Sequence, residues 1–188
     1  MHFPRLFICC LLFLVHPFCT SAQQGLTRFD QFEINEQDVV WKATYTDHKL
    51  KGDSLRFALV ALLKSKFYTF NVVRTLAGYN GELNHLKVDC KKYGRTYLNT
   101  PRLYWDGEWS GKFTVSLTDS SYHITIYALY YEKPEPSSGY YRTEKNTRGR
   151  YIDAVTIKSK AAFRKNELNN LSLFSQFLKD EFELKARR

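Results

Sequence analysis

Apolar and polar positions alternate along much of this chain, and the places where the period changes mark its elements. Residues 28–35 and 38–46 predict two strands joined at Asn35-Glu36-Gln37. In the second, Val39, Trp41, Ala43 and Tyr45 alternate with Val40, Lys42, Thr44 and Thr46, the period-two pattern of a strand with one buried face. The period then becomes helical. Leu55, Ala58, Leu59, Leu62 and Leu63 share one stripe, Arg56, Lys64 and Lys66 fall outside it, and Asp53 or Ser54 is placed to cap the start.

Beyond the helix, residues 68–75 and 82–91 predict strands flanking Gly78-Tyr79-Asn80-Gly81, whose Asn-Gly step is a hairpin signal. Leu86, Val88 and Cys90 share a face in the second of these. Residues 103–105 lead as a strand into a turn at Asp106-Gly107. Phe113, Val115 and Leu117 alternate with Lys112, Thr114 and Ser116. After a turn at residues 118–121, Tyr122, Ile124, Ile126 and Ala128 alternate with His123, Thr125, Tyr127 and Leu129. Residues 132–150 have the Pro, Ser, Gly and charge content of a long mobile loop. A short strand is expected at 151–157 and a helix at 162–184, with Leu168, Leu171, Ser175, Leu178 and Phe182 at three-four spacing and Phe174 and Phe177 widening the stripe.

Half-polar strands and two helices with one apolar stripe each predict an α+β fold. The expected form is a single antiparallel sheet of about six to seven strands, with two helices on one face and the other face open to water.

The first 22 residues change the picture of where such a domain works. Arg5, a ten-residue apolar run at 6–15 and the small-residue end Thr20-Ser21-Ala22 read as a signal peptide. A run of that length is too short to span a bilayer, which takes about 20 residues, and no second run follows. The expected product is therefore an exported protein, periplasmic or secreted, formed by one domain over residues 23–188 with no transmembrane segment. Of the four cysteines in the 188-residue chain, Cys9, Cys10 and Cys19 leave with the leader. Cys90 alone remains, so no internal disulfide can form. An exported domain without disulfides fits a bacterial envelope.

The chain carries 28 Lys and Arg against 19 Asp and Glu, and the excess is local. Residues 140–165 hold eight basic and two acidic residues, and residues 87–102 hold five basic residues against Asp89. Outside the cytoplasm such patches meet lipid phosphates, anionic glycans or acidic proteins, and nucleic acid is not an expected partner.

Three stretches carry a family resemblance. FDQFEINEQDVVWKATY (residues 29–45) is a strand pair ending in an apolar-apolar-Trp step. GKFTVSLTDSSYHITIYALYY (111–131) is a hairpin running into a Tyr- and Ile-rich strand, and LSLFSQFLKDEFEL (171–184) is an amphipathic closing helix. Together they resemble a family of secreted Bacteroidota proteins of unknown function with a TATA-box-binding-protein-like fold. The resemblance implies a fold and supplies no catalytic residues, and a DNA-binding name does not transfer with a fold.

Catalytic signatures are absent: the chain has no HExxH, GxSxG, CxxC or phosphate-binding glycine loop. Cys90, in phase with Leu86 and Val88, reads as buried packing. His85 and Asp89 share a strand face, but positions four apart stand roughly 13 Å from each other, too far for one metal ion. No cofactor or metal is expected. The best candidate chemistry is a basic aromatic cluster, Tyr140, Tyr141, Arg142, Arg148, Arg150 and Tyr151, joined by Tyr127, Tyr131 and Lys112 on the open sheet face. Rings interleaved with guanidinium groups suit sugar faces, phosphates and acidic peptides. The expectation is thus a non-enzymatic envelope binding or structural module that engages an anionic or protein partner. Two alternatives stay open: an enzyme of unrecognised type, such as a glycan hydrolase whose carboxylates meet only in the fold, and a small-ligand carrier with its cavity between sheet and helices.

Overall fold

Alternation at the expected positions builds an eight-stranded antiparallel sheet in the computed structural model, which describes residues 25–46, 49–67, 70–71, 78–134, 146–157 and 162–184. The expected signal segment lies outside the described residues, as do Tyr140, Tyr141 and Arg142. The strands begin with β1 (Arg28–Phe29), β2 (Phe32–Asn35) and β3 (Asp38–Thr46), followed by helix α1 (Gly52–Lys66). Strands β4 (Phe70–Asn71) and β5 (Gly78–Leu86) come next, then a 3-10 turn at Cys90–Tyr93 and the one-turn helix α2 (Arg102–Trp105). The long strands β6 (Glu108–Leu117) and β7 (Ser121–Pro134) precede β8 (Asn146–Arg150). Helix α3 (Tyr151–Val155), the strand pair β9 (Thr156–Ile157) and β10 (Ala162–Phe163), and helix α4 (Leu168–Phe182) complete the order.

Across the sheet the order is β1-β2-β3-β7-β6-β5-β4, with β8 also on β7. One face is apolar: Trp41, Tyr79, Leu83, Trp109, Phe113, Val115, Tyr122, Ile124 and Ile126 are all buried on it. Both long helices cover that face. Leu55, Leu59 and Leu63 of α1 and Leu171, Phe174, Leu178 and Phe182 of α4 join the same core, and Lys66 and Glu181 pair between the two helices at 3.1 Å. Ser175 interrupts the apolar stripe of α4 without leaving its hydroxyl unpaired, since it accepts the Trp41 indole N–H at 3.1 Å and donates to Gln31 at 2.7 Å. The opposite face carries rows of polar side chains at matched registers. Lys42, Thr125, Thr114 and Asn80 stand side by side across β3, β7, β6 and β5.

Several expectations are corrected. Asn80-Gly81 is not a turn but the middle of β5, with β4 paired at Phe70↔Gly81 and Asn71↔Asn80. Glycine is needed there for close approach, because a Cβ on Gly81 would stand 2.3 Å from Phe113 Cζ. Residues 103–105 form α2 rather than a strand, and Asp106 and Gly107 follow it; a Cβ on Gly107 would meet the Leu103 carbonyl oxygen at 2.2 Å. Cys90 is buried, but it begins a 3-10 turn capped by Asp89, and its thiol donates to the Tyr104 carbonyl oxygen at 3.2 Å. Residues 151–155 are helical because Tyr151, Ile152 and Val155 fall on one helical face and all three are buried. The closing helix starts at Leu168 rather than near 162, since Ala162 and Phe163 pair with β9 instead. The described ends of the expected 132–150 loop are strands: β7 runs to Pro134, and Asn146–Arg150 pairs back onto it.

Candidate functional site

Strand β7 has 14 residues and changes partner along its length. Its first part pairs with β3 up to Trp41↔Ile126, and its second part pairs with β8 from Tyr130↔Arg150 onward. A bulge marks the handover: the register with β6 shifts between Ser110 and Lys112, and Ala128 has φ +51°. Positive φ strains a residue with a Cβ, so something must hold it. Asp38 does so, accepting the Ala128 backbone N–H on Oδ2 at 2.5 Å and the Val39 N–H on Oδ1 at 2.8 Å.

The bulge reverses which residues face the core. Leu129, expected on the open face, is buried; Ala128, expected in the core, is not. Tyr131 follows Leu129 inward, half-buried against Trp109 with its ring over Gly149, where a Cβ would meet its Cζ at 2.7 Å. Tyr130 therefore takes the outward place. The Arg148 guanidinium lies 4.6 Å from the Tyr130 ring centroid, a cation–π geometry. Arg150 stands opposite Tyr130 in the register and forms a two-bond contact with Asp153, at 3.1 and 3.3 Å. Those hydrogen bonds, and then the charge of Asp153, raise the Arg150 pKa above its ordinary value. The guanidinium is charged, and two of its five N–H donors are engaged.

Beside this cluster is an open groove of about 530 Å³ lined by Asn35, Glu36, Gln37, Asp38, Tyr130 and Arg150 together with the bulge backbone. Glu36 sits at the tip of the β2–β3 turn with φ +47° and is exposed. The groove combines amide, carboxylate, guanidinium and phenol groups on a rigid strand handover. That donor and acceptor set suits a polar, hydroxyl-rich ligand held by hydrogen bonds and ring stacking, with an anionic group placed at Arg148, outside the Glu36 and Asp38 lining.

The sequence-predicted residues separate into three groups. Arg148 and Arg150 are exposed on the open face beside Tyr130, and Tyr127 lies half-exposed on the same strand and face, opposite Lys112. Tyr131 and Tyr151 do not join them. Tyr151 is fully buried at the start of α3, its ring edge-on to Trp109 at 4.9 Å and its hydroxyl 3.0 Å from that of Tyr104. Burial pushes its pKa well up, as it does for Tyr104. Tyr140, Tyr141 and Arg142 fall outside the described residues. Sequence reasoning missed Tyr130, Asp38 and the Asn35–Gln37 turn as site residues. The available signal was the run Ala128-Leu129-Tyr130-Tyr131, where strict alternation stops.

Among the described residues no group of three or more His, Cys, Asp and Glu could hold a metal ion, and no helix is long and apolar enough to cross a membrane. No family model and no curated protein matches the chain. Among solved structures it is similar to a TBP-like protein from Parabacteroides distasonis ATCC 8503, with a TM-score of 0.49 and 12% identity, over 82% of this chain and 97% of that one.

Proposed function

We propose that this chain is an exported, non-enzymatic binding module of the bacterial envelope, of the secreted Bacteroidota family its sequence resembles, and that it grips an anionic glycan at the β7–β8 corner of its open sheet face. The observation that carries the reading is the Arg148 stack on Tyr130 with Arg150 alongside, next to a groove of amide and carboxylate groups. A stacked guanidinium keeps its edge donors free for carboxylate or sulfate oxygens, and Tyr127, half-exposed on the same face, offers a ring to a sugar. The signal-peptide pattern in the sequence of residues 1–22 supports export.

The hydrolase alternative has less support. Asp38, one of the two carboxylates lining the groove, spends an oxygen on each of two backbone N–H groups, which leaves it poorly placed for proton transfer or nucleophilic attack. The carrier alternative has less support as well, since the large rings of Trp41, Trp109, Phe113, Phe174 and Phe182 are buried together in the core between sheet and helices. Calorimetric titration with a uronic-acid oligosaccharide tests the proposal. Arg148→Ala with Arg150→Ala should weaken binding by about tenfold or more while leaving the thermal midpoint nearly unchanged, since each charge-assisted contact is worth about 1.5–3 kcal/mol. Equal affinity in the parent and the double variant would reject the site.

A further inference from the structure

A second basic region, residues 87–102, ends in an apolar tip that the open-face site does not use. Leu98 is 100% exposed and Tyr97 is 64% exposed. Tyr97 stacks on Trp105 with ring centroids 4.1 Å apart. The tip is held in place from several sides. The Trp105 indole N–H donates to the Thr96 carbonyl oxygen at 3.3 Å, Asn99 accepts the Thr96 backbone N–H at 3.0 Å, and Arg95 reaches the Asn169 carbonyl oxygen of α4 at 2.7 Å. Lys92 pairs with Asp180 of the same helix.

Within residues 87–102 the charge is mostly basic, although exposed Asp106 follows Trp105. Asp89, the lone acidic residue of the stretch, is engaged as the cap of the 3-10 turn, accepting the Lys92 backbone N–H at 3.2 Å. Lys91 and Arg102 are exposed, and neither has an ion pair with a described residue. An exposed Tyr97-Leu98 tip, backed by the half-buried Trp105 ring and set in a basic stretch of chain, combines the two attractions that hold proteins at bilayer surfaces: apolar side chains entering the headgroup layer and basic side chains meeting lipid phosphates. Tyr and Trp suit this boundary because each has an apolar body and a polar end. A protein partner is the weaker fit, because a stable protein interface buries about 800 Å² on each side, far more than a three-residue tip presents.

We infer that the Tyr97-Leu98-Trp105 tip, with Lys91 and Arg102, docks the protein onto an anionic phospholipid surface. This inference does not depend on the glycan-binding reading. The test is vesicle sedimentation with phosphatidylcholine alone and with phosphatidylcholine plus phosphatidylglycerol, accompanied by tryptophan fluorescence. Trp41 and Trp109 are buried, so a blue shift on binding reports Trp105 and should vanish in Trp105→Phe. The parent protein should sediment with the anionic vesicles and be released by salt. Leu98→Asp should lower the bound fraction by about tenfold, and Lys91→Ala with Arg102→Ala should remove the preference for anionic lipid. Circular dichroism checks that each variant is folded, and the charge variant tests the inference even if Leu98→Asp is not. No sedimentation of the parent with anionic vesicles, equal binding to neutral ones, or parental binding by folded variants would overturn it.

Discussion

The Asp38 carboxylate accepts the backbone N–H of Ala128, 90 residues away, and so fixes the bulge at which β7 leaves β3 for β8. The bond sets the outward place of Tyr130 and, through Tyr130, the stack with Arg148. Asp38→Ala should therefore destabilise the protein by about 1–3 kcal/mol, the cost of leaving a partly buried donor unpaired. Asp38→Asn, which keeps one acceptor oxygen, should cost less. Denaturant midpoints measured on the two variants check this ordering, and equal midpoints for Asp38→Ala and the parent would contradict it.

The absence of a side chain at Gly81 makes room for Phe113. The Phe113 ring cannot move aside cheaply, because Phe67 and Phe182 pack against it at centroid distances of 5.1 and 5.4 Å. Gly81→Ala should cost about 1–3 kcal/mol through overpacking. The penalty should shrink in a Phe113→Leu background, so a double-mutant cycle should return a coupling of opposite sign to the single-site loss.

The buried hydroxyls of Tyr104 and Tyr151 satisfy one another at 3.0 Å. Tyr151→Phe leaves the Tyr104 hydroxyl buried without that partner and should cost about 1–2 kcal/mol. Replacing both residues by Phe removes the need for the bond, so the double variant should lose less than the two single losses added. Strict additivity in thermal unfolding would contradict the pairing.

Acid should loosen the contact between the 3-10 turn and α4. Burial pushes the Asp180 pKa up, but hydrogen bonds from Lys92, Gln176 and Tyr93 outweigh it and leave the pKa below the ordinary 3.8. The Asp180 bond in turn pushes the Lys92 pKa up to about 12. A carboxylate lowered on folding contributes stability that is present above its unfolded value and is lost as pH falls through its folded value. The parent should thus lose this contribution below pH 3.8, while Asp180→Asn should lack it at neutral pH, by about 0.5–1 kcal/mol. The difference in unfolding free energy between the two should narrow in acid. A difference independent of pH would exclude the linkage.

Period-two patterning in β3, β6 and the first part of β7, and the helical stripes of α1 and α4, were legible because each buries one face against a single core. Failures came where a local rule met a tertiary demand. Asn80-Gly81 has the composition of a turn, yet the glycine serves the Phe113 ring across the strand. Tyr151 looked like part of a basic aromatic surface because it follows Arg148 and Arg150, but a change from strand to helix at that residue turns it inward. The arginines themselves were legible as exposed charges. Their aromatic partner was not, because the identity of Tyr130 as the outward ring depends on a bulge held by Asp38 from 90 residues away, a distance no local pattern records.

The proposed ligand-binding role of the β7–β8 corner stands or falls on backbone amide chemical-shift mapping during titration with a uronic-acid oligosaccharide. Shifts should concentrate at Asn35 to Asp38, Ala128 to Tyr130 and Arg148 to Arg150, and they should fade when Arg148 and Arg150 are replaced by alanine. Shifts centred elsewhere, or none at saturating oligosaccharide, would contradict the assignment of this corner.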